Sequence, residues 1–422
     1  MTKNTSLINF FLAILPYSIQ TWILLGLLRK NLPRSIFRTI GFFPLSQIQM
    51  PICIYEPHRS FVARSGLTGM LVKRLLCMPG HNNINYLQLA IRIVSQKHKL
   101  PKSFCVTTLN GHKYSEHKYT VSSVAFHTNL PLMATGCCDK TATLWRLSPD
   151  GSTANRMAIL EGHSSWVRSV AFHPTLHLLV TSSYDKTAKL WRLSSDGSTA
   201  TCVATLVGHS EQIWSVAFNP KGTLLATGSS DKTAKLWRLS PDGSAAICVA
   251  TLKGHSDSVL SVVFHPTAPL LATGSDDNTA KLWHLSPNGS AAICVATLEG
   301  HSDSVFSVAF HPRAPLLATG SGDKTAKLWR LSSDNSVATC VATLEGHSRS
   351  VLSVVFHPTG SLLATGSCDN TAKLYSFSPN GSAATCVATL EGHSRTVRSV
   401  AFDPKGTILA TVSNDETVKL WR

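Results

Sequence analysis

Short apolar runs separated by turn residues recur through residues 103–422, and the stretch from Ile213 to Leu252 shows how one unit is built. In Ile213-Trp214-Ser215-Val216-Ala217-Phe218, alternation puts Val216 and Phe218 on one face of a strand, and Asn219-Pro220-Lys221-Gly222 turns the chain. Leu224-Leu225-Ala226-Thr227 opens a second strand that ends at the polar turn Ser229-Ser230-Asp231. Ala234-Lys235-Leu236-Trp237 is a third, and Ser240-Pro241-Asp242-Gly243 leads into a fourth, Cys248-Val249-Ala250-Thr251-Leu252. The pattern predicts one small, twisted, four-stranded sheet.

That unit returns seven times with a step of 46 residues. Tryptophans fall at Trp145, Trp191, Trp237, Trp283, Trp329 and Trp421, with Tyr375 in the remaining slot. Gly-His pairs keep the same step, from Gly162-His163 and Gly208-His209 to Gly392-His393. A lone sheet of this size cannot bury its faces, so the copies must pack on one another and close into a ring. The last copy ends at Trp421-Arg422 after its third strand, and Cys105-Val106-Thr107-Thr108-Leu109 matches the fourth strand of the other copies. The N-terminal strand is therefore expected to complete the final sheet.

On these residues the chain resembles the WD40 repeat family over about residues 103–422. The resemblance implies an all-β fold, a seven-bladed propeller closed by an N-terminal strand. It also implies a structural role for the repeated polar residues, with His209, Thr227, Asp231 and Trp237 forming a buried hydrogen-bonded chain. The sets beginning His163, His255, His301 and His393 match it. Tyr375 removes an indole donor from blade six, which is expected to be looser for it. In blade one, His112 and His117 both compete for the histidine place. The aspartate that usually follows the tryptophan in the family is absent, with Arg146, Arg192, Arg238, His284, Arg330, Ser376 and Arg422 in its stead.

Function is expected where the copies differ. The second residue of each first strand, at the mouth of the central channel in the family's geometry, reads Ser122, Arg168, Trp214, Leu260, Phe306, Leu352 and Arg398. Four neighbouring blades thus carry an apolar arc, flanked by arginine. Three residues earlier, Glu211, Asp257 and Asp303 make the rim acidic over blades three to five, and Arg349 and Arg395 make it basic over blades six and seven. An apolar arc with aromatic anchors and charged flanks suits a peptide or protein segment. Its apolar side chain would lie against Trp214 and Phe306 and its acidic end toward Arg398 and Arg168.

Charge divides the chain differently. Residues 1–115 hold fourteen Lys/Arg and the single acid Glu56, which leaves 25 basic and 22 acidic residues over 116–422. The net charge of +16 is therefore a property of the N-terminal region, residues 1–102, rather than of the propeller, 103–422. Residues 5–28 carry no charge and are followed by Arg29, Lys30, Arg34 and Arg38, the arrangement of a helical membrane anchor with the propeller in the cytoplasm. An alternative is an F-box-like helix near residues 15–27, from Leu15-Pro16 and the spacing of Ile19, Ile23 and Leu27, which would make the chain a substrate-recognition adaptor of a cullin-type ubiquitin ligase.

Six of eleven cysteines occupy one repeated fourth-strand slot, too far apart to bridge in a ring, so a reducing compartment is expected. No metal-ligand spacing, phosphate loop, nucleophile elbow or nucleic-acid motif stands out from the repeat. The expectation is a monomeric, non-catalytic scaffold or adaptor that binds proteins and needs no cofactor.

Overall fold

A computed structural model describes residues 105–109, 119–151, 153–360 and 362–422, all within one compact unit spanning His98–Arg422. The uncharged segment 5–28, its F-box-like reading, and the choice between His112 and His117 lie outside the described residues. Among the described residues no helix is long and apolar enough to cross a membrane.

The described chain forms seven four-stranded antiparallel sheets. In blade three the order runs Ile213–Phe218, Leu224–Ser229, Ala234–Leu239 and Ala246–Leu252 from the centre outward. The second strand is buried along its whole length, because a neighbouring blade covers each face of the sheet. It therefore reads Leu-Leu-Ala-Thr-Gly-Ser, without the alternation of a half-exposed strand, and both its hydroxyl residues are buried. Gly228 lets the next blade approach closely: a Cβ would lie 2.9 Å from Val259 Cγ1 and 3.0 Å from the Val259 carbonyl oxygen.

The core is divided into inter-blade clusters rather than gathered in one centre. Val180, Leu190 and Leu206 of blade two pack on Ile213, Leu225 and Trp237 of blade three. The seam between blades seven and one is built the same way, with Leu109 joining Val121, Met133, Val412 and Leu420. Cys105–Leu109 pairs antiparallel with Val418–Trp421 and supplies the outer strand of the seventh sheet, as the sequence predicts. Closure therefore rests on strand pairing between residues about three hundred positions apart in the chain.

Two irregularities recur in the ladders. The outermost strand is partly exposed, and a bulge opposite the Leu236–Trp237 step interrupts its pairing in blade three. Such a bulge makes a free sheet edge a poorer template for other strands. A second bulge lies in each first strand: Ile213 faces Ser229 and Ser215 faces Gly228, so Trp214 is the unpaired extra residue. The same holds for Ser122, Arg168, Leu260, Phe306, Leu352 and Arg398.

Candidate functional site

The repeated polar residues meet inside each blade. His209 Nδ1 lies 2.6 Å from Asp231 Oδ2, His209 Nε2 lies 2.7 Å from Thr227 Oγ1, and the Trp237 indole donates to Thr227 Oγ1 at 2.9 Å. Proton positions follow from what each group can do. A carboxylate only accepts, so His209 carries a hydrogen on Nδ1; with the imidazole neutral, Thr227, which accepts from the indole, donates to Nε2. Burial lowers the His209 pKa, although the Asp231 carboxylate beside it acts in the opposite direction. Asp231 also accepts from the backbone of Ser210 at 3.2 Å and from Thr233 N and Oγ1 at 3.0 and 2.6 Å, which pins a turn where Lys232 has a φ of 69°.

Sets beginning at His163, His255, His301 and His393 repeat this geometry, each closed by its own tryptophan. Blade six keeps both histidine links at 2.7 Å despite Tyr375. Its phenol donates instead to the Glu345 carbonyl at 3.1 Å. The substitution removes one donor and leaves the His–Asp and His–Thr spacing as it is elsewhere. Chains of this kind satisfy buried polar groups, and the residues of each are all mutually occupied.

The bulged residues do something else. Ser169, Ser215, Ser261, Ser307 and Ser353, which follow them, lie with them around one cavity of about 340 Å³ on the propeller axis. All six predicted binding residues, Arg168, Trp214, Leu260, Phe306, Leu352 and Arg398, line it. A bulge frees its extra residue from the ladder and re-aims its side chain, so this slot can change from blade to blade without disturbing the sheet. The apolar arc is not uniformly open: Leu260 is buried, whereas Trp214, Phe306 and Leu352 are half-buried.

Partners that the sequence reading missed come from the turn after each second strand. This slot reads Cys138, Tyr184, Ser230, Asp276, Gly322, Cys368 and Asn414, and its backbone N–H is tied to the residue just before the first strand, as Tyr184 N is to Trp166 O at 3.0 Å. Three blades match the two variable slots chemically. The Trp214 indole donates to Ser230 Oγ at 2.6 Å, Arg398 Nε donates to Asn414 Oδ1 at 2.7 Å, and the Arg168 guanidinium lies 5.3 Å from the Tyr184 ring. The signal was available, since this second slot varies as freely along the 46-residue step as the first.

Blades two and three together make an aromatic ladder. Trp166, 45% exposed, stacks on Tyr184 at 5.4 Å, and Tyr184 meets Trp214 edge to face at 5.0 Å. Arg168 sits 4.5 Å from the Trp214 ring centroid, so the ladder has a cation against one of its sides. On the rim, Glu211 pairs with Lys186 at 3.3 Å, and burial raises the pKa of Asp276, with Asp257 and Asp303 adding like charge. Among the described residues no group of three His, Cys, Asp or Glu side chains is placed to hold a metal ion.

Seven segments, 103–146, 154–192, 200–238, 246–284, 292–330, 338–376 and 384–422, match the family model described as "WD domain, G-beta repeat". A stretch of 57 residues, 14% of the chain, is 35% identical to THO complex subunit 3 of Arabidopsis thaliana. It spans 18% of that relative's length.

Proposed function

The chain belongs to the WD40 repeat family, whose propellers generally bind other proteins or peptides, and we propose that it is a non-catalytic interaction scaffold whose channel mouth receives a partner segment. The observation that carries the reading is the convergence of every unlike bulge residue on one cavity, while the polar chains of the blades repeat. Trp214 and Phe306 would take the segment's apolar side chain, with its acidic end toward Arg168 and Arg398. Aromatic residues and arginine are the usual carriers of binding energy on such surfaces. The relative THO complex subunit 3 bears the name of a complex subunit, in keeping with a scaffold. In the same reading, residues 1–102 are a separate region that tethers the propeller, through residues 5–28, to the cytoplasmic side of a membrane.

Affinity capture with the full chain beside its Trp214→Ala/Phe306→Ala variant tests this. Loss of specific partners from the folded variant supports the channel mouth as the binding face. An identical set of captured proteins sinks it. A full chain that stays in the aqueous phase without detergent removes the anchor and leaves the channel reading standing.

A further inference from the structure

The channel holds positive charge that the residues lining it do not neutralise. Arg168 has one face toward Trp214, 4.5 Å from its centroid, and lies 5.3 Å from the Tyr184 ring. The Tyr184 and Trp214 centroids are only 5.0 Å apart, so both rings meet the guanidinium from one side. The Arg168 Nε is buried with no hydrogen-bond acceptor. Burial and the like charge of Arg398 both press Arg168 below its ordinary pKa. Tyr184 and Cys138 bring no compensating charge, because burial raises the pKa of both. Among the described residues no aspartate or glutamate lines the cavity.

Space and charge coincide. Arg398 of blade seven and Arg168 of blade two flank blade one, whose bulge residue is the small Ser122. Its hydroxyl is taken up by backbone carbonyls, Val167 at 2.6 Å and Gly136 at 3.0 Å. Arg398 is fixed at Nε by Asn414 and keeps its terminal nitrogens for another acceptor. Two cations therefore flank the blade whose bulge residue is the smallest of the seven, with the neutral Cys138 thiol near both.

We propose that this corner of the channel, between Arg168 and Arg398 over Ser122, is an oxyanion site that takes the phosphoryl group of a phosphorylated side chain on the bound segment. The proposal rests on the channel mouth being the binding face. A phosphomonoester carries about −1.5 to −2 charges at neutral pH, against one for a carboxylate, and so answers two arginines with one group. Its oxygens also suit edge-on, forked donation by guanidinium.

The test is calorimetric titration of the full chain at constant ionic strength with three probes: N-acetyl-O-phosphoserine amide, N-acetyl-aspartate amide and a dinucleotide phosphodiester. The phosphoserine probe is expected to bind at least about tenfold more tightly than either of the others. Arg168→Gln and Arg398→Gln should each weaken it by a similar factor, and Arg168→Gln should not lower Tm, since it removes an orphaned charge. Equal affinity for phosphoserine and aspartate, equal or tighter binding of the phosphodiester, or phosphoserine binding that survives both substitutions would overturn the proposal. If Arg168→Gln does not fold, the half-buried Arg398 carries the test alone. Absence of phosphoserine binding, with partner capture still dependent on Trp214 and Phe306, removes the oxyanion site and leaves the binding face intact.

Discussion

Blade three carries two polar constellations, one inside the sheet and one at the channel, and they obey opposite rules. Inside, Thr227 Oγ1 takes the Trp237 indole, His209 bridges Thr227 to Asp231, and Asp231 holds Ser210 and Thr233. Satisfied groups in a dry interior have little freedom to change, and this set recurs almost unaltered around the ring. At the channel, Trp214 and Ser230 are bonded to each other at 2.6 Å but are followed in the next blade by Leu260 and Asp276. The bulge removes the constraint of the ladder there, and Arg168 is left with a buried, unpaired N–H. One region uses its polar atoms up; the other keeps some in reserve. Stability should live in the first and binding in the second, and that division can be broken by experiment.

Acid should give the largest effect and should strike the interior first. Burial lowers the pKa of His209, His255, His301, His347 and His393 from an ordinary 6.5. The folded state thus resists protonation that the unfolded chain accepts. Their contribution is full above about pH 6.5 and is lost as pH falls from there toward the depressed folded values. Within that window each histidine adds up to about 1.4 kcal/mol per pH unit. The aspartates act lower: Asp369, held at about 2 against an ordinary 3.8, stabilises above 3.8 and loses its effect below. Urea unfolding between pH 8 and 5 measures this, and a midpoint that stays flat from pH 6.5 to 5 would remove the neutral-imidazole account.

Asp231→Ala separates the regions by mutation. It strands four donors, from His209, Ser210 and Thr233, and releases the turn at Lys232. Loss of about 3 kcal/mol is expected, as for other broken buried pairs, with partner affinity unchanged while the chain stays folded. A loss below about 1 kcal/mol would show that water replaces the carboxylate readily.

The channel substitutions should behave in the reverse sense. Trp214→Ala is expected to cost about 1–2 kcal/mol of stability, since the ring is half-buried, and to weaken partner binding more than tenfold. Phe306→Ala should do the same with a smaller stability cost. Affinity and unfolding free energy measured on the same preparations decide the matter. Equal loss of both in the two regions would erase the distinction between them.

The repeat made the fold legible, and it also made the interior chains legible. Periodicity, turn chemistry and the displaced strand Cys105–Leu109 are local signals, and each reappears in the structure at its expected place. The seven bulge residues were legible as a slot that varies, and the cavity gathers them all. Their bulged conformation was not, because nothing in Ile213-Trp214-Ser215 distinguishes an extra residue from a paired one until its partner strand is in place. Tyr184 and Trp166 escaped notice for a related reason: they join Arg168 only through the turn that follows the second strand. Leu260 was read as part of an open arc, but the packing around it leaves it buried.

The smallest effect asks how far the interior rule reaches. Tyr375→Trp restores an aromatic donor to the blade that lacks one. In blade three the Trp237 ring packs against Gly208, where a Cβ would come within 3.1 Å of it; the same construction at Gly346 meets only the Tyr375 hydroxyl, at 3.8 Å. At Gly162, Gly300 and Gly392, whose positive φ Gly346 shares, the same construction lies 3.6 Å from a tryptophan ring, so a glycine of this shape accommodates an indole. The new indole would reach Thr365 Oγ1, whose hydroxyl now also lies 3.4 Å from the Lys373 carbonyl, and would commit that hydroxyl to His347. The exchange gives up the phenol's bond to the Glu345 carbonyl. One buried hydrogen bond and the added ring area against one bond to a backbone oxygen should leave a gain of about 1 kcal/mol. Destabilisation in the urea midpoint would mean that blade six has repacked around tyrosine, and that the indole is one solution to the interior's demand for satisfied polar groups rather than a requirement of it.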